Sequence, residues 1–182
     1  MIIYYTHGYT GEDGESRKLL EVAIAEYTGD PGKAAELASR VRESGNYGKP
    51  VIDGFDGYSV SHSGNTWAVL FCSGPCGLDV QYERETDIGA VTRRFYGQDE
   101  AEAVQTGGRN EFFRIWARRE ALVKAAGESI VNSELPAVLA GKAVYCGETW
   151  YIQDVEIPGE NLYAAVCCGS PGEKAEVREL ER

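Results

Sequence analysis

Apolar positions along these 182 residues change their spacing several times, and each change marks an expected element. "IIYYT" (2–6) is an apolar run of strand length, and "SRKLLEVAIAEYTG" (16–29) sets Leu19, Leu20, Ala23 and Ile24 in helical register. "GDPGKAAELASRVRES" continues as a second helical segment, with Asp30 as its N-cap and Pro31 in the first turn. "GNYGKPVIDGFDG" (45–57) is a glycine-rich connection. "YSVSHS" alternates, with Tyr58, Val60 and His62 on one face. "GN" turns the chain, and "TWAVLFC" (66–72) has the unbroken apolar run of a central strand. "SGPCG" turns again and "LDVQ" opens a third strand. A charged helical segment is expected over roughly 86–105. The chain ends in three further strands, "GKAVYCG", "TWYIQDVEI" and "LYAAVCC", the last two joined by a "PGEN" turn. The closing "GEKAEVRELER" is polar and predicts a loosely held tail.

One helix does not fit the simple division into a polar and an apolar face. Wound at about 100° per residue, "FFRIWARREALVKAAG" (112–127) puts Phe112, Ile115, Trp116, Leu122, Val123 and Ala126 on one arc. Glu120 and Lys124 fall on the edge of that arc, between Trp116 and Phe113, and Arg119 falls inside it. Glu120 and Lys124 have the spacing of an i,i+4 ion pair, worth about 0.3–0.5 kcal/mol on a surface. A carboxylate at an apolar edge instead needs a partner, a cation or a metal ion. Arg119 is expected to pack its stem on the core with its head at the rim.

Composition narrows the class. The net charge of −11 argues against general nucleic-acid binding. No apolar run approaches membrane-spanning length. "MIIYYTHGYT" lacks a basic start and long apolar run, so no signal peptide is expected, and the location expected is cytoplasmic. Cys72, Cys76, Cys146, Cys167 and Cys168 are odd in number and match no zinc spacing, which fits reduced thiols. Against the acidic whole, Arg109, Arg114, Arg118, Arg119 and Lys124 form a cationic island, readable as an anion-facing surface or as a solvated helix face.

Two smaller signals remain. "GKPV" (48–51) precedes "WAVLFCSGP" (67–75), much as "GKAV" (141–144) precedes "YAAVCCGSP" (163–171). This faint repeat is what two fused α+β halves would leave. Asp79, in "GLDVQ", shares a face with Gly77 and Gln81. It reads either as a strand-edge Asp making local hydrogen bonds or as an oxygen ligand for a hard cation, with room beside Gly77. His62, between Ser61 and Ser63 and before Gly64, fits a structural hydrogen bond or a turn that touches an anion. No GxxxxGK[ST] loop and no Ser-His-Asp arrangement is present.

Taken in order, "YGKPVID" (47–53), "VSHSGNTWAVLF" (60–71), "CGLDVQ" (76–81), "RRFYGQDEAEAV" (93–104) and "IWARREALVKAAG" (115–127) resemble the 4′-phosphopantetheinyl transferases. The likeness is to the larger single-chain kind that activates surfactin synthetase and other nonribosomal peptide and polyketide synthases. It covers about residues 17–171. It implies an α+β pseudodimer of two similar halves with the active site in the cleft between them. The expected divisions are an N-terminal half (1–75) for coenzyme A contacts, a C-terminal half (76–171) for metal and catalysis, and a polar tail (172–182).

The resemblance also implies the chemistry. The phosphopantetheine arm of coenzyme A would pass to a serine of an apo acyl or peptidyl carrier protein of fatty acid, polyketide or peptide synthesis. Adenosine 3′,5′-bisphosphate would be released. Carried over by position, Asp79 and Glu120 would hold Mg²⁺, and Lys124 would offset charge on the diphosphate. Glu120, or a water beside it, would accept the serine proton. Ser61 and His62 would contact the 3′-phosphate, with Lys49 and Pro50 of the GKP turn nearby and Arg17 and Lys18 supplying further charge. A monomer is expected, with neither nucleic acid nor membrane as partner.

Three departures from the family pattern stand out. Gln81 replaces a second acid, Arg119 replaces the usual Lys before Glu120, and only sixteen residues precede Arg17. The first two are what an alternative reading would use, a non-catalytic coenzyme A or carrier-protein binding protein of the same fold.

Overall fold

Two four-stranded sheets lie face to face, and helices cover the outer face of each. The structure is a computed structural model; it describes all residues except 45–48, 54, 56, 132, 133, 173 and 182, and only the backbone at 43, 44 and 49. The chain runs β1 (Ile2–His7), α1 (Glu15–Thr28), α2 (Pro31–Ser39), β2 (Val41–Ser44), β3 (Lys49–Ile52), β4 (Tyr58–Ser63) and β5 (Thr66–Phe71). It continues β6 (Cys76–Tyr82), α3 (Ile88–Phe95), α4 (Gln98–Ala126), β7 (Lys142–Tyr145), β8 (Glu148–Val155), β9 (Leu162–Cys168) and β10 (Glu176–Glu179). The mixture of helices and sheets is the expected α+β class.

The first sheet has the order β10-β1-β5-β4 and the second β6-β9-β8-β7. In each, a strand that leads into helices pairs antiparallel with the last strand of a hairpin. Ile2 stands opposite Phe71 in the first, and Cys76 opposite Cys168 in the second. The apolar run of β5 is central, as its sequence implies: β1 and β4 flank it and all six of its residues are buried. The two arms of the faint repeat end at corresponding strands, β5 and β9.

Alternation along the strands sorts side chains into three cores. Tyr4, Trp67, Val69 and Phe71 face α1 and α2, meeting Leu20, Ile24 and Leu37. Ile3, Tyr5, Ala68 and Leu70 face the second sheet, meeting Leu78, Val80, Ala164 and Val166. On the far side of that sheet Ile152, Ala165 and Cys167 pack against Phe112, Ile115, Ala121 and Leu122 of α4. Most of the expected arc of α4 is buried, while Trp116 and Ala126 are half-buried.

Several expectations change. The second helix stops at Ser39, where the Arg40 N–H turns back to the Leu37 carbonyl at 2.9 Å. Val41–Ser44 instead pairs with Lys49–Ile52. The glycine-rich connection therefore contains a strand, and the rest of it lies largely outside the described residues. The charged segment expected as one helix over 86–105 is split at Tyr96–Gly97 into α3 and the start of α4, and α4 runs on into the aromatic helix across a kink at Gly108, whose φ is 65°. The tail is not loose. Its strand β10 pairs parallel with β1, the Leu180 N–H bonds the Tyr5 carbonyl at 2.7 Å, and Leu180 is 3% exposed in the α1–α2 core. Charge along an edge strand is compatible with pairing on its inner side. No helix among the described residues is long and apolar enough to cross a membrane.

Candidate functional site

The site forms where β6 passes under α4. Leu78 and Val80 point into the core between the sheets, so Gly77, Asp79 and Gln81 point at the helix. Gly77 is where the helix backbone comes closest. A Cβ built there would meet the Ala121 carbonyl oxygen at 2.0 Å and the Ala125 nitrogen at 2.6 Å. The space expected beside Asp79 is therefore filled by α4, and the absent side chain serves the approach of the helix rather than a ligand.

That approach puts Lys124 on Asp79. Lys124 Nζ donates to Asp79 Oδ1 at 2.7 Å, to Ser61 Oγ at 3.1 Å and to the Leu78 carbonyl at 3.1 Å. The Ser61 hydroxyl donates to the same carboxylate oxygen at 3.0 Å, and Gln81 Nε2 donates to Asp79 Oδ2 at 2.8 Å. Asp79 is buried, and these donors compensate its charge. Of the two sequence readings of Asp79, the hydrogen-bonded one is what these contacts describe, and its charge also acts on Glu120. Lys124 reaches across to β6 instead of pairing with Glu120.

Glu120 accepts no hydrogen bond from any described residue, although it is half-buried. Burial, and then the charge of Asp79, push its carboxyl up to about 7 against the pull of Lys124. A partly desolvated carboxylate without a donor, beside a second carboxylate, fits a hard divalent cation that takes oxygen ligands and keeps waters. Asp79 and Glu120 are the residues that would hold Mg²⁺. Among the described residues no group of three or more His, Cys, Asp and Glu gathers as a metal site, in keeping with a neutral Gln at 81.

The cationic island dissolves on folding. Arg109 pairs with Glu83 at 2.5 Å, Arg114 with Glu111 and Asp154, and Arg118 with Asp154 at 2.6 Å. Arg119 does not reach the rim. It is 3% exposed, and its NH1 lies 2.6 Å from Glu100, itself 0% exposed. Glu100 also accepts from the Gly97 N–H at 3.1 Å and the Val138 N–H at 3.1 Å. The departure from Lys at 119 thus falls on a buried ion pair that ties the start of α4 to its middle.

The other expected coenzyme contacts are placed less closely. Arg17 and Lys18 are exposed on the first turn of α1, and Pro50 is exposed on β3. The side chain of Lys49 lies outside the described residues. His62 is exposed and packs its ring on Tyr9 at 5.1 Å, while the neighbouring Ser61 is buried on the opposite side of β4 with Asp79. Among the described residues, the structure brings Ser61, Asp79 and Lys124 together with Glu120 and leaves Arg17, Lys18, His62 and Pro50 apart from them. Sequence reading missed the tie between Ser61 and Asp79. Its signal was the serine at every second position of "YSVSHS".

Fold and site thus define an α+β protein in which two acidic groups and a lysine meet between a strand and a helix. Residues 75–138, which carry that site, match the family model described as the 4′-phosphopantetheinyl transferase superfamily. The 4′-phosphopantetheinyl transferase gsp of Aneurinibacillus migulanus is 32% identical over 89 residues, 46% of this chain and 37% of that protein. The psf-1 transferase of Bacillus pumilus is 31% identical over 103 residues, 53% of this chain and 44% of that protein. A putative 4′-phosphopantetheinyl transferase of Haemophilus influenzae is 24% identical over 157 residues, 79% of this chain and 66% of that protein. Over these stretches the chain is similar to proteins of the 4′-phosphopantetheinyl transferase superfamily. It spans 37% to 66% of the length of these three curated relatives.

Proposed function

We propose that this protein transfers the 4′-phosphopantetheine arm of coenzyme A to a serine of an apo acyl or peptidyl carrier protein. The observation that carries the reading is the meeting of Asp79, Lys124 and a Glu120 without a partner among the described residues where β6 faces α4. In the step proposed, the serine oxygen bonds to the phosphorus that bears the pantetheine. The bridging diphosphate oxygen leaves with adenosine 3′,5′-bisphosphate, and the hydroxyl proton passes to Glu120 or to a water beside it. Glu120, half-buried and accepting no hydrogen bond from a described residue, stands beside Asp79 and Lys124 as the acceptor for that proton. Lys124 Nζ gives its three protons to Asp79, Ser61 and the Leu78 carbonyl, so it would act on the leaving diphosphate through its fixed positive charge and not through a direct hydrogen bond. Mg²⁺, when bound by Asp79 and Glu120, would offset the charge of the diphosphate.

The same reading takes the corresponding runs β1-β5-β4 and β6-β9-β8 of the two sheets as two fused α+β halves with the coenzyme between them. Arg17, Lys18 and His62 would face its 3′-phosphate. Because the α4 cations are consumed by carboxylates, attraction for an acidic carrier falls to α3. There Arg93 and Arg94 are exposed and form no ion pair among the described residues. The chain would act as a cytoplasmic monomer.

The test is the intact mass of a panel of apo carrier proteins after incubation with the protein, coenzyme A and Mg²⁺, with a chelator control. A gain of one phosphopantetheine that the chelator abolishes is expected. Asp79→Ala and Glu120→Ala should each lower turnover on the order of a hundredfold or more. Near-normal Mg²⁺-dependent turnover in both would refute the site. Coenzyme A binding with no mass gain on any carrier would favour the non-catalytic reading instead.

A further inference from the structure

Three serines of β4 do the work that backbone carbonyls do in an ordinary sheet. β6 pairs with β9 along one edge, and the amides of its other edge face β4. The Leu78 N–H donates to Ser59 Oγ at 3.0 Å, the Val80 N–H to Ser61 Oγ at 3.1 Å, and the Tyr82 N–H to Ser63 Oγ at 2.9 Å. Serines at every second residue of one strand thus match amides at every second residue of the other. The result is a hydroxyl ladder that joins the two sheets in one register and leaves none of these three amides unsatisfied.

Among the described residues only the middle rung does more. A hydroxyl has one proton and two lone pairs. At Ser61 the lone pairs accept from Val80 N–H and Lys124 Nζ, and the proton goes to Asp79 Oδ1. A group saturated in this way, and buried, has no capacity left for a phosphate oxygen. We propose that Ser61 is a positioning residue that fixes Asp79 and Lys124 relative to each other, so that the register between the sheets sets the geometry of the site. The inference rests on the transferase reading for its functional consequence but not for its geometry.

Two readouts keep those apart, with Ser59→Ala and Ser63→Ala as controls and Ser61→Thr as the hydroxyl-retaining variant. The first is the nitrogen-15 NMR signal of the Lys124 ammonium in the unliganded protein. Ser61→Ala should abolish its protection from exchange, while the two controls and Ser61→Thr retain it. The second is carrier modification. Ser61→Ala should lower kcat tenfold or more with KM for coenzyme A within about twofold, Ser61→Thr should recover most of the loss, and the controls should stay within about twofold of the parent. All three alanine variants should lose some stability to urea, since each removes a rung. An unchanged Lys124 signal in Ser61→Ala overturns the proposal. So does a raised KM with unchanged kcat, which would mark a direct coenzyme contact. If the parent transfers nothing, the transferase reading fails and the NMR comparison alone decides the positioning role.

Discussion

Removing Arg119 without removing Glu100 should be among the most damaging single changes in the chain. Arg119 and Glu100 are both buried, and their 2.6 Å contact bridges 19 residues of sequence. Glu100 keeps the Gly97 and Val138 amides when Arg119 is lost, but two neutral donors do not offset a full buried charge. Breaking one partner of such a pair costs about 3–5 kcal/mol, a large part of a total stability of about 5–15 kcal/mol. For a chain of this size each kcal/mol shifts Tm by about 2–4 °C, so Arg119→Met should melt about 6–20 °C below the parent. Urea unfolding followed by tryptophan fluorescence measures the same loss, because Trp116 stacks near Tyr96, over whose ring Arg119 lies at 5.4 Å. The double variant Glu100→Gln/Arg119→Met should recover at least about 2 kcal/mol relative to the sum of the single losses, because no charge is then left buried. A loss below about 1 kcal/mol in Arg119→Met, or strictly additive single losses, would refute the reasoning.

The remaining predictions concern the strand–helix contact and its surroundings. Gly77→Ala should cost about 1–3 kcal/mol, because the new Cβ meets only helix backbone at 2.0 and 2.6 Å. It should also lower activity by displacing Lys124 from Asp79, and parent-like urea stability would contradict it. Gln81→Glu should destabilise the metal-free protein, because it replaces the donor on Asp79 with a like charge. It should also tighten Mn²⁺ binding in a calorimetric titration, and weaker binding would place Gln81 away from the ion. Burial raises the Asp154 carboxyl, but Arg118 and Arg114 more than offset this and hold it below the ordinary range. Its stabilising effect is therefore present above the unfolded value of about 3.9 and lost as pH falls through the lower folded one. Asp154→Asn should be less stable than the parent at pH 7, with the gap closing in urea titrations below about pH 4. A gap that stays constant down to strong acid would show that the pairing carries none of it.

What the sequence disclosed was what local period and motif order carry. The alternation of "YSVSHS", the apolar run at 66–72 and the edge position of Glu120 and Lys124 all reappear in the fold. What it concealed was long-range pairing. The partners of Arg109, Arg118 and Arg119 lie 26, 36 and 19 residues away, so a run of cations that looks unneutralised in sequence is neutral in space. The tail misled for a related reason. "EVREL" is mostly charged, yet an edge strand has to bury only one side, and Leu180 supplies it. Gly77 was read as space for a ligand because nothing local shows that the α4 backbone fills it.

Strand β6 explains why an aspartate can stand in mid-strand at all. Its seven residues meet different demands on its two faces and two edges. One edge bonds β9, and the other gives its amides to the serines of β4. One face fills the core between the sheets, and the other accepts α4. Asp79 sits where the serine edge and the helix face meet, a corner where a hydroxyl from β4 and an ammonium from α4 both reach a β6 side chain. Moved by one residue it would enter the apolar layer with Leu78 and Val80, where no donor waits and a carboxylate would be neutralised or expelled. Moved by two, to 77, it would collide with Ala121. The contacts that let the protein fold around a buried acid are therefore the contacts that aim that acid and Lys124 at one place, and stability and site geometry should fail together when the corner is disturbed.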